Sequence, residues 1–273
     1  MMRSLWTAAS GMKAEQVNVD TIAHNISNVN TIGYKTQSTQ FKTLLYQTLR
    51  ADSTSANGDP KPTSAQVGLG TRVASLNSLY TDGAMTANDS PTALCISGQG
   101  FFSVLGVDGQ TRYYTRNGDF QWSLNQAGQR VLATSNGLSV LDTNGQPILL
   151  PADAGADAVS FGTDGAVAYR DQTGNYVPTG QVIALYQFQN PNGLDKMAYS
   201  LLGQTEASGA PMLEGQNPGL RPSTVNQGYL EGSNVNVADE MVNLIIAQRA
   251  YELNSKAITT SDTMLEQANN LKR

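Results

Sequence analysis

The sequence predicts an α+β protein whose N- and C-terminal helices pair in a coiled-coil-like axial domain. Both ends carry apolar residues at alternating intervals of three and four, while the middle alternates β-branched and aromatic runs with Asn-Gly and Asp-Gly pairs. We therefore expect an antiparallel β-rich domain inserted between the helices, with extended connecting arms. The predicted boundaries are 1–30 plus 237–273 for the helices, 31–66 plus 214–236 for the arms, and 67–213 for the β domain.

The C-terminal segment predicts a long helix over 237–270. Neither Pro nor Gly occurs between residues 233 and 273, although the whole chain contains 26 Gly and 10 Pro. Asn236 is a suitable N-cap, and the acidic Asp239 and Glu240 fall in the first turn, where the helix dipole favours negative charge. At 1.5 Å per residue such a helix is roughly 50 Å long.

This helix carries a heptad-type seam with polar interruptions. The seam positions step by fours and threes, and they are Val237, Met241, Leu244, Gln248, Tyr251, Ser255, Ile258, Asp262, Leu265 and Asn269. A seam that is only half apolar does not stabilise a long isolated helix, so we expect it to have a partner.

The N-terminal segment 3–29 predicts the second helix. Its seam follows the same spacing, with Leu5, Ala9, Met12, Gln16, Val19, Ala23 and Ile26, widened by Ala8, Ile22 and Val29. The two terminal helices can therefore close on each other. An ordinary two-helix layer that covers a sheet is the alternative.

The segments between helices and β domain differ in composition from both. Residues 51–66 contain no apolar side chain larger than Ala, which predicts an extended arm that orders against neighbouring subunits. Residues 214–232 contain four Gly and two Pro and predict an extended return path. Gly33, in a turn after the first helix, is the natural position for a positive φ.

From residue 67 to 213, short strands are predicted between regularly placed turns. Asn-Gly and Asp-Gly pairs separate β-branched and aromatic runs, a pattern typical of antiparallel hairpins. The predicted strands are 101–105, 112–115, 120–122, 130–133, 138–141, 159–161, 166–169 and 182–188.

The composition excludes most chemistry. The single His24 and the single Cys95 cannot build a usual zinc site or a nucleophile–base pair, and we expect Cys95 to be a buried small hydrophobe. No phosphate-binding or dinucleotide-binding glycine pattern is present. The net charge of −5 gives no indication of nucleic-acid binding, and no stretch is apolar enough for lipid insertion. No cofactor or enzymatic activity is expected.

Several motifs resemble those of the bacterial flagellar rod and hook proteins. The resemblance covers residues 4–12 (SLWTAASGM), 25–35 (NISNVNTIGYK), 98–102 (GQGFF), 114–118 (YTRNG), 227–237 (QGYLEGSNVNV) and 248–258 (QRAYELNSKAI). The motif residues singled out are Asn25, Asn28, Asn30, Gly33, Tyr34, Lys35, Ser233, Asn234, Asn236 and Arg249. The opening residues, the segment 45–49 and the chain length are most similar to distal rod members, with proximal rod members as the near alternative.

The resemblance implies a structural protein of the flagellar basal body without catalytic activity. Such proteins leave the cell through the type III export apparatus and polymerise helically into a hollow, rigid shaft that spans the periplasm and outer membrane. The implied partners are further copies of the chain, other rod proteins and the hook protein along the axis, and the peptidoglycan and outer-membrane ring proteins around it.

The resemblance also implies that the terminal helices line the tube, with the β domain outside. The predicted assembly interface is then formed by Leu5, Ala9, Met12, Val19, Ile22, Ile26, Val237, Met241, Leu244, Gln248, Tyr251, Ile258 and Leu265. A hypothesis of a different class remains beside it: a secreted β-rich protein that binds or hydrolyses peptidoglycan, since carboxylates that are distant in sequence can meet in a fold.

Overall fold

The computed structural model describes residues 2–50, 65–125, 127–151, 154–155, 158–171, 174–217 and 219–271. A helix begins and ends this part of the chain, and antiparallel strands fill the middle. The elements are α1 (Met2–Ser27), β1 (Gln37–Thr43), β2 (Tyr46–Arg50), β3 (Ala65–Gly68), β4 (Thr71–Ser78), β5 (Met85–Ala87), β6 (Leu94–Ser97), β7 (Phe101–Leu105), β8 (Arg112–Thr115), β9 (Phe120–Leu124), β10 (Arg130–Thr134), β11 (Leu149–Leu150), β12 (Val159–Phe161), β13 (Ala166–Arg170), β14 (Tyr176–Val182), β15 (Leu185–Gln187), β16 (Asp195–Lys196), β17 (Leu201–Gly203), β18 (Met212–Leu213), β19 (Thr224–Gln227), β20 (Tyr229–Glu231) and α2 (Val237–Asn270), with 3-10 turns at Pro191–Gly193 and Ala198–Ser200.

Both terminal helices are present, with the β-rich antiparallel region between them. Helix α2 covers the predicted range, because the Asn236 side chain accepts a hydrogen bond of 3.1 Å from the Ala238 backbone N–H and so caps its first turn. Helix α1 ends at Ser27, two residues before the predicted end. Neither helix, within the described residues, contains a segment long and apolar enough to cross a membrane.

The chain forms two compact units. The helical unit combines Met1–Ser27, Gln37–Ser78 and Asn236–Arg273, and the β unit combines Asn28–Thr36 and Leu79–Val235. The predicted arms, 31–66 and 214–236, thus contribute to both units. Strands β1 and β2 occupy much of the first arm, while its most polar part, residues 51–64, lies outside the described residues.

In the helical unit, an antiparallel ribbon formed by the strand pairs β1–β4 and β2–β3 contacts α1. Strand β1 pairs with β4, from Gln37 opposite Ser78 to Thr43 opposite Thr71, and β2 pairs with β3. The Thr71 backbone N–H donates to Ser10 Oγ on α1 over 3.3 Å. The Thr39 hydroxyl donates to Thr21 Oγ1 over 3.2 Å, so the ribbon contacts the helix at two separate points.

The β unit is built on a six-stranded antiparallel sheet in the order β16-β17-β8-β7-β15-β18. Two three-stranded sheets, β11-β10-β9 and β12-β13-β14, and the pairs β19-β6 and β20-β5 complete it. Its main core consists of side chains that are almost completely buried, among them Leu94, Phe102, Val104, Phe120, Leu132, Val140, Ile148 and Ile183. Cys95 is 1% exposed, as the sequence predicts.

The turn residues position these strands. Gly109, Gly137, Gly145 and Gly165, each the second residue of a predicted turn pair, have positive φ angles of 67° to 82°. Strands β7, β8 and β12 have the predicted bounds. The predicted strand at 138–141 is instead a series of isolated bridges, such as Val104 to Val140 and Ala133 to Ser139.

One hairpin departs from this use of glycine. The connection between β16 and β17 contains Tyr199 at φ 63° and Ser200 at φ 59°, the only non-glycine residues with positive φ among those that the structure describes. Tyr199 is 71% exposed, so its ring gains little from packing within the chain. The left-handed conformation is costly for a residue with a Cβ.

Candidate assembly surface and buried charge cluster

Helices α1 and α2 pack against each other in antiparallel directions. Ser4 Oγ lies 3.2 Å from Ser261 Oγ near the start of α1, and Asn25 Nδ2 donates to Glu240 Oε2 over 3.3 Å near its end. Gly11 lies between these two contacts, where a Cβ would come within 2.9 Å of Asn254 Nδ2. The two helices therefore approach closely at Gly11.

The residues of α2 that face α1 differ in part from the predicted seam. Glu240, Ala247 and Ser261 are buried and Asn254 is half-buried. Each of them precedes a predicted seam position: Met241, Gln248 and Asp262 are exposed, and Ser255 is half-buried like Asn254. Between these positions Leu244, Ile258 and Leu265 are half-buried, whereas the apolar side chains of residues 241, 242, 245 and 246 are exposed.

The other predicted interface residues are distributed over the surface of the pair. Ile22 is buried, and Met241, Gln248 and Tyr251 are exposed. The half-buried members are Leu5, Ala9, Met12, Val19, Ile26, Val237, Leu244, Ile258 and Leu265. Their role in assembly stays a prediction.

An apolar stripe on α2 remains exposed. It consists of Met241, Val242, Ile245, Ile246 and Leu253, whose exposed fractions run from 53% to 68%. Contiguous exposed apolar side chains of this kind mark surfaces for interaction with other proteins. The sequence analysis assigned only Met241 of these to the interface. The run 241–246, with five apolar residues out of six, is the signal that could have identified the others.

The family-motif residue Asn25 connects three elements of the helical unit. Its side chain is fully buried and exchanges two hydrogen bonds with the backbone of Gln37 on β1, 2.8 Å to the carbonyl oxygen and 2.9 Å from the N–H. It also donates to Glu240 on α2. Because every polar atom of this amide is engaged, Asn25 fixes β1 and α2 against the end of α1.

In the β unit, the motif residue Lys35 belongs to a buried charge cluster. Lys35 Nζ lies 2.5 Å from Glu231 Oε1, and Arg116 Nη1 lies 3.3 Å from Glu231 Oε2. The side chains of all three are 6% exposed or less. Asp82, which is 41% exposed, lies 3.7 Å from the same Arg116 nitrogen. Four segments that are far apart in sequence thus meet at one carboxylate.

The cluster is completed by backbone groups and one ring. Lys35 Nζ donates to the Thr81 carbonyl over 2.7 Å, and the Gly83 N–H donates to Glu231 Oε1 over 3.0 Å. The Arg116 guanidinium lies over the Phe101 ring, 5.2 Å from its centroid. Burial, and next the neighbouring Arg116, lower the pKa of Lys35. Arg116 and Glu231 lie in the family motifs 114–118 and 227–237, but the sequence analysis gave them no role. A single charge in a motif of glycine and apolar residues is a signal that could have indicated a buried ion pair.

Further motif residues hold the same region of the β unit together. Gly33, at φ 68° as predicted, donates its N–H to the Glu231 carbonyl, and a Cβ there would come within 2.8 Å of the Arg116 backbone. Asn234 accepts from the Thr36 N–H over 2.7 Å and donates to the Leu79 carbonyl over 2.8 Å.

The remaining motif residues have local or peripheral roles. Asn28 accepts from the Thr31 hydroxyl, Tyr34 accepts from the Asn234 N–H, and Ser233 accepts from the Val235 N–H. Asn30 is exposed. Arg249, also exposed, pairs with Glu252 at 2.7 Å on the surface of α2.

The candidate groups for chemistry do not converge. Among the described residues, no three His, Cys, Asp or Glu side chains are arranged to hold a metal ion. His24 is exposed on α1. Burial raises the pKa of the Cys95 thiol from 9.0 to about 11, so this thiol is neutral and a poor nucleophile at neutral pH.

Comparison with known proteins identifies the same motif regions. Three flagellar family descriptions match: the flagella basal body rod protein over residues 5–35, the D1 domain of the flagellar hook protein FlgE/F/G over 95–169, and the C-terminal region of the flagellar basal body rod FlgEFG proteins over 226–271.

Whole-length relatives are also found. The chain is 43% identical to the flagellar basal-body rod protein FlgG of Borreliella burgdorferi and 37% identical to that of Bacillus subtilis, in both cases over all of both chains. It is 40% identical to the FlgG protein of Caulobacter vibrioides, over 99% of this chain and all of that one. The chain therefore belongs to the family of flagellar basal-body rod proteins.

Proposed function

We propose that this chain is a structural subunit of the distal rod of the bacterial flagellum. Copies polymerise helically into a hollow, rigid shaft that transmits torque and lets exported subunits pass. Similarity to FlgG proteins over the whole length supports the assignment to the rod. A proximal rod or hook-type subunit is the alternative within the same family.

The exposed apolar stripe on α2 is the observation that carries this proposal. Its five side chains are more than half exposed and have no covering element among the described residues. Burying one such side chain contributes about 1.5–3 kcal/mol. A subunit with this stripe gains stability when further copies cover it, and contacts that do not close on themselves produce an open helical polymer.

The proposal also assigns each part of the subunit a place in the shaft, as the family resemblance implies. The terminal helices, residues 1–30 plus 237–273, form the wall of the inner tube, and the β-rich region 67–213 faces outward. The arms, 31–66 plus 214–236, connect them, and residues 51–66 order against neighbouring copies. Exposed apolar side chains on the ribbon, such as Leu45 at 82% and Tyr46 at 59%, support such a contact.

Family membership gives the setting of this assembly. As a basal-body rod protein the chain assembles with other rod and hook proteins in the flagellar basal body. In the proposal, the shaft spans the periplasm to the outer membrane, the peptidoglycan and outer-membrane ring proteins surround it, and the type III apparatus exports its subunits. The proposed role involves no catalysis, cofactor, nucleic acid or lipid insertion.

Motility tests the apolar stripe. Ile245→Asp, at a side chain that is 57% exposed, should abolish swimming in cells with no other copy of the gene, because a carboxylate cannot be buried between copies. Thr259→Asp is the matched control. It adds the same charge on α2, where the neighbours one turn away are Ser255, Lys256, Asp262 and Thr263. Swimming cells with Ile245→Asp would contradict the proposal.

Two further observations separate the alternatives. Localisation of the subunit in isolated basal bodies distinguishes the distal rod from the proximal rod and the hook. Incubation of the protein with purified cell wall addresses the hypothesis of a peptidoglycan-binding or hydrolytic protein. Release of fragments that depends on one carboxylate would contradict a purely structural role.

A further inference from the structure

The contacts between α1 and α2 recur at intervals of seven residues. On α1 they fall at Ser4, Gly11 and Asn25, and on α2 at Ser261, Asn254 and Glu240. Each step of seven along α1 corresponds to an equal step backward along α2. Ala247, 1% exposed, occupies the remaining step on α2. The pair therefore has a single antiparallel register with a period of one heptad.

A seam with this period is open to slippage. Sliding α2 by seven residues, about 10 Å along its axis, would restore the same repeat of inward-facing positions. The small side chains at the contact positions, such as Ser4, Gly11 and Ser261, do not by size alone prevent the shift. Polar groups at seam positions can prevent it, because a wrong register leaves them without partners.

The Gly11–Asn254 contact distinguishes the observed register from its neighbours. Gly11 is the only glycine of α1, and Asn254 stands against the space that a side chain would fill. A shift of one heptad would place Asn254 opposite Ser4 or Asn18, both of which carry side chains.

The Asn25–Glu240 contact also favours the observed register. The two hydrogen bonds with Gln37 hold the Asn25 amide in place, so its donor for Glu240 is fixed. A one-heptad shift would move Glu240 opposite Asn18 or beyond Ser27, where α1 ends. The buried carboxylate would then lose this donor.

We infer that Gly11–Asn254, with Ser4–Ser261 and Asn25–Glu240 on either side, is a register lock for the terminal helices. The lock sets the position, along the axis of the helix pair, at which α2 presents its apolar stripe. This consequence rests on the proposed function, because the position of the stripe along the axis matters only when another copy must bind it. The lock itself is a property of the single subunit.

Disulfide trapping tests the register directly. In flagellated cells whose only copy carries Cys95→Ser, Ser4→Cys with Ser261→Cys reports the observed register. Ser4→Cys with Ala268→Cys reports a one-heptad slip, and both pairs leave Gly11 and Asn254 intact. We expect about tenfold more 4–261 than 4–268 disulfide, since a slip leaves buried polar groups unpaired. Equal yields would overturn the inference.

A compensating pair of substitutions identifies the residues responsible. Gly11→Val should abolish both the 4–261 disulfide and motility, because the valine meets Asn254. Addition of Asn254→Ala should restore both, which excludes a general failure of α1 to fold. Ala23→Val, at an exposed position of α1, is the matched control and should change neither.

The outcomes separate the lock from the proposed function. If Gly11→Val leaves the 4–261 disulfide intact, or Asn254→Ala does not restore it, the lock is wrong whatever the motility. If Gly11→Val abolishes the disulfide while the cells still swim, the lock stands and its link to assembly is wrong.

Discussion

At the scale of single residues, the buried charges of the β unit are the most informative feature. The buried Glu231 carboxylate pairs with both Lys35 and Arg116, and the Glu231 carbonyl accepts a hydrogen bond from the Gly33 N–H. A buried ion pair adds little net stability by itself, yet removal of one partner leaves an uncompensated charge. Its contribution to the subunit is to fix which segments meet.

We predict that Glu231→Gln destabilises the β unit by about 3–5 kcal/mol, because two buried cations lose their counter-charge. The measurement is the free energy of unfolding in urea. Glu252→Gln serves as the control, since the Arg249–Glu252 pair is 73% and 62% exposed and contributes less than about 1 kcal/mol. Similar effects of the two substitutions would show that the cluster is not buried in solution.

At the scale of elements, the hairpin between β16 and β17 tolerates unfavourable backbone angles. Tyr199 and Ser200 both adopt the left-handed conformation that favours Asn-Gly, and the chain uses glycine at its other described positions with positive φ. The exposed tyrosine side chain does not compensate by packing within the β unit.

We predict that Tyr199→Asn combined with Ser200→Gly stabilises the β unit by about 1–2 kcal/mol, because the left-handed conformation becomes less costly. Thermal unfolding is the measurement. Gly137→Ala is the reciprocal control: its φ is 79° and no atom lies within 4 Å of the added Cβ, so backbone strain alone should lower the stability. A lower unfolding temperature for the double variant would contradict this explanation.

Sequence patterns predicted the elements better than their contacts. The bounds of α2 were predictable because Asn236 caps a segment without Gly or Pro, and those of β7 and β8 because turn pairs border them. Of the predicted seam residues of α2, Leu244, Ile258 and Leu265 are half-buried and Met241, Gln248 and Asp262 are exposed, so their role in assembly stays a prediction. A heptad pattern predicts that apolar residues face a partner helix, whereas this chain exposes Ile245 and Ile246.

At the scale of the whole molecule, the least predictable features join residues that are far apart in sequence. Lys35 and Glu231 are 196 residues apart, and Asn25 and Glu240 are 215 apart. No local spacing encodes such pairs, and either charge could have been a solvated surface residue. The motif resemblance identified the segments that carry them but not the partner of each side chain.

We predict that limited proteolysis of the purified monomer removes α1 and α2 and leaves a resistant fragment containing 79–235. The β unit has an almost completely buried apolar core, whereas the helix pair leaves the apolar stripe of α2 uncovered. Mass spectrometry of the fragments is the measurement. Survival of both helices in the monomer would show that they are stable without further copies.

The bond between Thr36 and Asn234 has a kinetic consequence. Ser4 and Ser261 are 257 residues apart, so pairing α1 with α2 in an unfolded chain would close a very long loop, with a large entropic cost. Once the β unit has formed, this bond holds residues 36 and 234 together, and only the short segments from Asn25 to Thr36 and from Asn234 to Glu240 remain to close.

We therefore expect helix pairing to follow folding of the β unit and to proceed like a zipper from Asn25–Glu240 towards Ser4–Ser261. In a refolding variant with the 4–261 cysteine pair, fragment 79–235 should become resistant to digestion before the 4–261 disulfide forms. In a newly folding subunit, α2 would then reach its locked position, and present its apolar stripe there, only after the β unit has folded.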